Sequence, residues 1–166
     1  MLNRWYEPPI SIPLDPTVPL CMAANEGTFT AGTVYYIKQK VNAGTVLTGC
    51  QFYVYAYTSD AVIEAGAYTY SASGAVTKLT SGSVTATGTG EWTITFSTPI
   101  VLTKDIDITA AFLIISGGVT ILSRSSAPSI SALGWKGATS QSSLPASDNT
   151  SRSSVNTWFG LQWKVQ

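Results

Sequence analysis

Carboxylates and tyrosines carry what chemistry this sequence can offer, because it contains no histidine at all. The usual general base, triad member and zinc ligand are therefore missing. Asp105 and Asp107 flank Ile106, so an alternating strand would carry both carboxylates on one face or at its entry. Such a pair suits a glycosidase-like mechanism or a calcium site, and it equally suits the polar edge of a strand leading into a core. Neither an aromatic-lined cleft nor additional oxygen ligands can be located beside it, which favours the edge. Asp148-Asn149-Thr150-Ser151 supplies further oxygens and includes an Asn-x-Ser sequon, a triplet common by chance. No Gly-x-Ser-x-Gly elbow, phosphate loop or dinucleotide fingerprint is present. The expectation is a protein that is not an enzyme and holds no cofactor or metal.

The tyrosine row Tyr53, Tyr55 and Tyr57 is the feature that could bind something, extended by Tyr68 and Tyr70 if a neighbouring strand lies beside it. Aromatic faces on a sheet can stack on sugar rings while the phenol hydroxyl hydrogen-bonds to them. A protein interface, where Tyr is enriched, or a covering by the chain's own terminus or long loop fits the same row. Cys21 and Cys50 are the only cysteines, at a spacing that matches neither a metal site nor a redox motif. Buried thiols are the first reading, and a disulfide between them is the second.

Composition narrows the partners. Nine basic and nine acidic residues balance to zero, and no basic run is present to bind phosphate backbones or anionic lipid. Nucleic acid is not expected, and no apolar run is long enough for a transmembrane helix. Charged residues make up only 11% of the chain, well below the roughly 25% typical of soluble domains, which suits a protein held in an assembly. The N-terminus lacks the pattern of a signal peptide, so synthesis in a cytoplasm is expected.

The elements that would position these residues are short alternating strands. Val34 to Val41 puts Tyr35, Ile37 and Val41 on one face and Tyr36, Lys38 and Lys40 on the other. Leu47 to Thr58 points Cys50, Phe52, Val54 and Ala56 one way and the tyrosines the other. Further strands are expected at Val62 to Tyr70, Val76 to Leu79, Trp92 to Phe96 and Ile106 to Ile115. The last of these turns apolar on both faces at Leu113 and Ile115, as a covered central strand does. Gly117-Gly118 predicts a hairpin to Val119–Leu122, and Trp158 to Val165 is expected as one closing strand. Lys136 to Thr157 is Ser/Thr-rich and reads as a long loop around Leu144-Pro145, a length usually functional or disordered. Eight or so strands with turn signals every 8 to 12 residues or so predict an all-β, antiparallel, jelly-roll-like β-sandwich.

Ahead of that body, residues 28–166, lies a different segment. Within residues 1–27 the stretch from Trp5 to Leu20 carries a proline every third residue or so, which denies a helix or central strand its donors and forces an extended arm. Trp5, Tyr6, Ile10, Ile12 and Leu14 make the arm too apolar for a solvated linker, so it is expected to lie on a partner's surface. Trp5 and Tyr6 read as an anchor in a neighbouring subunit, or as a clasp on the chain's own sandwich.

The stretch Gly90-Glu91-Trp92-Thr93-Ile94-Thr95-Phe96-Ser97-Thr98-Pro99-Ile100-Val101-Leu102 resembles the turn-strand-turn segment of small jelly-roll domains in carbohydrate-binding-like modules and tailed-phage virion proteins. Ser143-Leu144-Pro145-Ala146 and the aromatic-led Trp158-Phe159-Gly160-Leu161 are similar to the end of those domains. Lys104-Asp105-Ile106-Asp107 departs from them, where they usually show a small turn and an aromatic. The resemblance implies a non-enzymatic virion protein, a capsid decoration or head-fibre protein whose arm attaches to the major capsid or another virion protein and which is expected as a trimer or other oligomer. Its alternative is a tail fibre or tail tip module that binds a host surface glycan through Tyr53, Tyr55 and Tyr57.

Overall fold

In the computed structural model the described residues are 25–27, 29–71, 74–125, 134–149, 153–154, 157–159 and 161–166. They form an all-β, antiparallel, sandwich-like fold with no helix among them. The strands are β1 (Asn25–Gly27), β2 (Val34–Val41), β3 (Val46–Tyr70), β4 (Val76–Ala86), β5 (Gly90–Val101), β6 (Ile106–Ser125), β7 (Gly134–Lys136), β8 (Ser147–Asp148), β9 (Ser153–Ser154), β10 (Thr157–Phe159) and β11 (Gln162–Val165). Among the described residues eleven strands stand where the turn signals give about eight, because the additional ones are two to four residues long and too short to show a period.

Two long strands organise the sheet. Its main path runs β8-β4-β3-β6-β2-β7-β9, while β5 and β11 pair with β3 and β1 and β10 pair with β6. The first half of β3 pairs with β5 and β11, and its second half pairs with β4 and β6. Strands that bend and change partners in this way turn the corners of a sandwich, so the sheet curls over its own inner face. The core between the layers gathers Ile37 and Val41 of β2, Phe52 and Ile63 of β3, Ile94 and Phe96 of β5, Ile108 and Phe112 of β6, and Trp163 of β11. Phe52 meets Phe112 at 5.6 Å and 72°, and Phe96 meets Trp163 at 6.0 Å and 68°, both in the edge-to-face arrangement that aromatic quadrupoles favour.

Several sequence expectations are corrected by these strands. Leu47–Thr58 and Val62–Tyr70 belong to one strand, β3, since Ser59-Asp60 is absorbed by bulges instead of forming a turn. Gly117-Gly118 is likewise no hairpin, and β6 runs through it to Ser125. Its glycines serve a close approach: a Cβ on Gly117, at φ 94°, would lie 2.0 Å from the Asp60 carbonyl oxygen. The strand begun at Val76 continues past Leu79 to Ala86, and the closing strand divides between β10 on β6 and β11 on β3. Asn25–Gly27, read as the end of the arm, pairs with Ser123, Leu122 and Ile121 of β6.

The expectation that this strand is covered on both faces around Leu113 is met, since Ala111 to Ile114 of β6 are all buried. Ala111 and Leu113 point away from the inner core and pack in a second cluster with Val34, Tyr36, Tyr68, Val76 and Leu144. Leu144 comes from the segment read as a long loop, so its part around Leu144 and Ala138 covers this face.

Candidate functional site

Tyr53, Tyr55 and Tyr57 do not form a continuous row. The pairing of β3 with β6 goes from Val54↔Ile121 directly to Ala56↔Thr120, so Tyr55 is an additional, unopposed residue in a bulge. A residue inserted into a strand exchanges its two faces downstream. Before the bulge Cys50, Phe52 and Val54 point inward, and beyond it Ala61, Ile63, Ala65 and Ala67 do. Tyr57 thereby packs against the core, and its hydroxyl donates to Asp60. That hydrogen bond, with desolvation and the Asp60 charge behind it, raises the Tyr57 phenol above its ordinary value. Tyr55 is left 53% exposed, with Tyr53 half-buried before it and opposite Glu91 of β5.

The proposed extension of the row also separates. Tyr68 is fully buried in the second cluster, whereas Tyr70 lies at the surface with the Lys38 ammonium 4.9 Å from its ring centre.

The other chemistry-bearing residues have structural partners. Asp105 Oδ1 accepts the amide of Ala43 at 2.8 Å, tying the β5–β6 turn to the β2–β3 turn. Asp107 Oδ2 meets Lys38 Nζ at 2.8 Å on a half-exposed face, a pair worth about 0–1 kcal/mol in such a setting. Cys50 is buried, and desolvation pushes its thiol far up from the ordinary value, so it is unsuited to act as a nucleophile. Among the described residues no group of three or more acidic or thiol side chains is placed to hold a metal ion, and no helix could cross a membrane. Cys21, Trp5, Tyr6, Ile10, Ile12 and Leu14 lie outside the described residues.

The most elaborate polar arrangement is one the sequence did not announce. Residues 137–148 cross the outer face of β2, β6, β3 and β4 as a strap. At one end Gly137 donates to the Val34 carbonyl at 2.9 Å and Val34 donates back to Ala138 at 3.0 Å. In the middle Leu144 enters the second cluster, and its amide donates to Glu64 Oε2 at 2.7 Å. Lys78 Nζ donates to the Leu144 carbonyl and the Tyr68 hydroxyl to the Pro145 carbonyl, each at 2.7 Å. The segment then closes on its own start: β8 pairs with Val76 and Thr77, and Asp148 Oδ2 accepts both the Tyr36 hydroxyl at 3.0 Å and the Ala138 amide at 2.8 Å.

Local chemistry explains the fit. Pro145 keeps Leu144 extended, so the Leu144 amide and carbonyl are both available to side chains. Gly137 has no Cβ, and one placed there would lie 2.3 Å from both Asp148 Oδ2 and the Tyr36 ring. Burial raises the Tyr68 phenol, and the charges of Glu64 and Asp148 raise it further, which keeps it a neutral donor. Glu64, Tyr68, Lys78 and Tyr36 were missed as a group because they are scattered over three strands, β3, β4 and β2, with no shared spacing in the sequence. The available signal was Glu64, a lone charge between Ile63 and Ala65 in an otherwise apolar stretch.

No family model matches the chain, and no match is found among the curated proteins or the solved structures.

Proposed function

We propose that this chain is a non-enzymatic structural protein of a tailed-phage virion, a capsid decoration or head-fibre protein attached to the shell through its N-terminal arm. The observation that carries the reading is the pairing of Asn25–Gly27 with the end of β6, which ties the root of the apolar, proline-spaced segment to a firm sheet. An anchored root lets an arm transmit load between a partner and the body. Two features support a structural role for the body itself. Asp105 and Asp107 are engaged in a turn tie and a surface ion pair, and the tyrosine hydroxyls of the outer face secure a strap. The low charge and the jelly-roll resemblance around Trp92 supply the virion context.

A second reading, a glycan-binding module of a tail fibre or tail tip, is favoured by one observation. Tyr55 is presented by a bulge, a device that re-aims a side chain, and Tyr53 lies close by in the same strand. With Tyr57 turned to the core, the sugar platform in this reading reduces to Tyr53 and Tyr55.

Cosedimentation separates the two. Full-length protein and a variant lacking Met1 to Pro19 are mixed with undecorated phage shells and with intact host cells. Saturable, arm-dependent binding to shells is expected. Arm-independent binding to cells, lost with Tyr55→Ala, would replace the decoration reading with the glycan-binding one.

A further inference from the structure

The strap is recognised chiefly through two consecutive residues. Leu144-Pro145 supplies an aliphatic side chain to the pocket of Val34, Tyr36, Tyr68, Ala111 and Leu113. The same dipeptide supplies the amide taken by Glu64, the carbonyl taken by Lys78 and the carbonyl taken by Tyr68. Three hydrogen bonds to main-chain groups and one apolar socket define a site for an extended aliphatic-proline dipeptide. Nothing in those contacts requires that the dipeptide be leucine, or that it belong to the same stretch of chain.

The sequence holds a second segment with the same features. Ser11-Ile12-Pro13-Leu14-Asp15 in the arm matches Ser143-Leu144-Pro145-Ala146-Ser147-Asp148, with serine before an aliphatic-proline pair and an aspartate shortly after. No other proline among the eight is preceded by Ser-Ile or Ser-Leu. Ile12 has the same number of carbons as Leu144, and Ile12-Pro13 offers the same amide and two carbonyls. Pro13 biases Ile12 to the extended backbone that the site accepts. Asp15 stands one residue nearer its proline than Asp148 does, so the equivalence is confined to the serine-aliphatic-proline core.

We infer that the outer face of the sheet is a docking groove for an aliphatic-proline segment, filled in each copy by its own Leu144-Pro145 and able to receive Ile12-Pro13 from the arm of a second copy. The inference rests on the reading of the arm as a docking segment, and it names a second copy as a partner for the arm's middle. The tethered strap competes at an effective concentration on the order of millimolar, so the arm gains the groove where copies are crowded or the strap is weakened. Subunits joined in this way would be linked without any surface beyond the one described.

The test is fluorescence anisotropy with a labelled peptide of residues 9–17 added to the full chain and to two strap-weakened variants, Leu144→Ala and Asp148→Asn. The peptide is expected to bind Leu144→Ala about tenfold or more tightly than the unmodified chain, with a smaller gain for Asp148→Asn. Adding Lys78→Met to either variant is expected to remove most of that gain. Circular dichroism identifies which variants retain the fold, and Asp148→Asn keeps the test open if Leu144→Ala does not. No gain in either folded variant would overturn the inference. Binding of a strap peptide, residues 141–149, without binding of the arm peptide would overturn the arm as occupant. Neither result depends on shells, so failure here is distinguishable from failure of the shell-attachment reading.

Discussion

Tyr36 of β2 donates its hydroxyl to Asp148 of β8 at 3.0 Å, closing a span of 112 residues beneath the strap. Its ring meets Tyr68 edge-on at 5.6 Å, so one side chain anchors both the polar latch and the apolar cluster. Tyr36→Phe keeps the ring and removes the donor, leaving Asp148 with less compensation for its burial at 6% exposure. A loss of about 1–3 kcal/mol is expected in urea unfolding. Hydrogen exchange should quicken at Ala138 before it does in β6, and equal protection at both positions would contradict the latch.

Leu144 is the apolar half of the same attachment. It is 2% exposed in a pocket formed by four strands, although the run around it is Ser/Thr-rich. Leu144→Ala is expected to destabilise the chain by about 2–5 kcal/mol, the range for truncating a buried leucine. A change within the noise of a surface substitution would mean that the strap does not cover the outer face in solution.

These two residues mark where sequence reading ends and tertiary structure begins. β2 and the centre of β5 were legible, because Tyr35, Ile37 and Val41, or Ile94 and Phe96, keep one parity from end to end. In β3 and β6 the parity changes part-way, at the bulges around Tyr55, Thr58 and Ile115, so the alternation appeared to stop and each strand was divided. The tyrosine row failed for the same reason, since a period of two cannot be carried through an inserted residue. Leu144 and Glu64 were illegible in a different way. A single apolar residue among serines, or a single acid in a strand, has no period, and its meaning depends on partners 80 residues apart.

Three glycines separate space from backbone conformation. A Cβ on Gly82 would lie 2.0 Å from the Thr95 carbonyl oxygen, where β4 passes close to β5. Gly82→Ala is therefore expected to cost more than about 4 kcal/mol or to abolish folding. Gly44, at φ 84° with nothing within 4 Å, carries only the left-handed penalty, and Gly44→Ala should cost about 1–2 kcal/mol. Gly88 has open space and no positive φ, so Gly88→Ala should change stability by no more than about 0.5 kcal/mol. Thermal unfolding of the three variants should rank them in that order, and a Gly82→Ala protein as stable as Gly88→Ala would refute the close crossing of β4 and β5.

Alkaline pH should weaken the fold through two buried groups. Desolvation raises the Cys50 thiol above its ordinary value of 9.0, and burial with the nearby carboxylates raises the Tyr68 phenol above 10.0. Both are acids held neutral in the folded chain. The unfolded chain releases their protons first, so the stability they contribute is complete below about pH 9 and is lost as pH rises from there. Each group that has ionised only in the unfolded state steepens the decline by about 1.4 kcal/mol per pH unit. Unfolding free energies measured from pH 8 upward should therefore fall less steeply in Cys50→Ala, starting near pH 9, and less steeply in Tyr68→Phe, starting near pH 10. The slopes are compared within each variant, so the packing lost with either side chain does not enter. An unchanged slope in Cys50→Ala would show that the thiol is not buried in the folded chain.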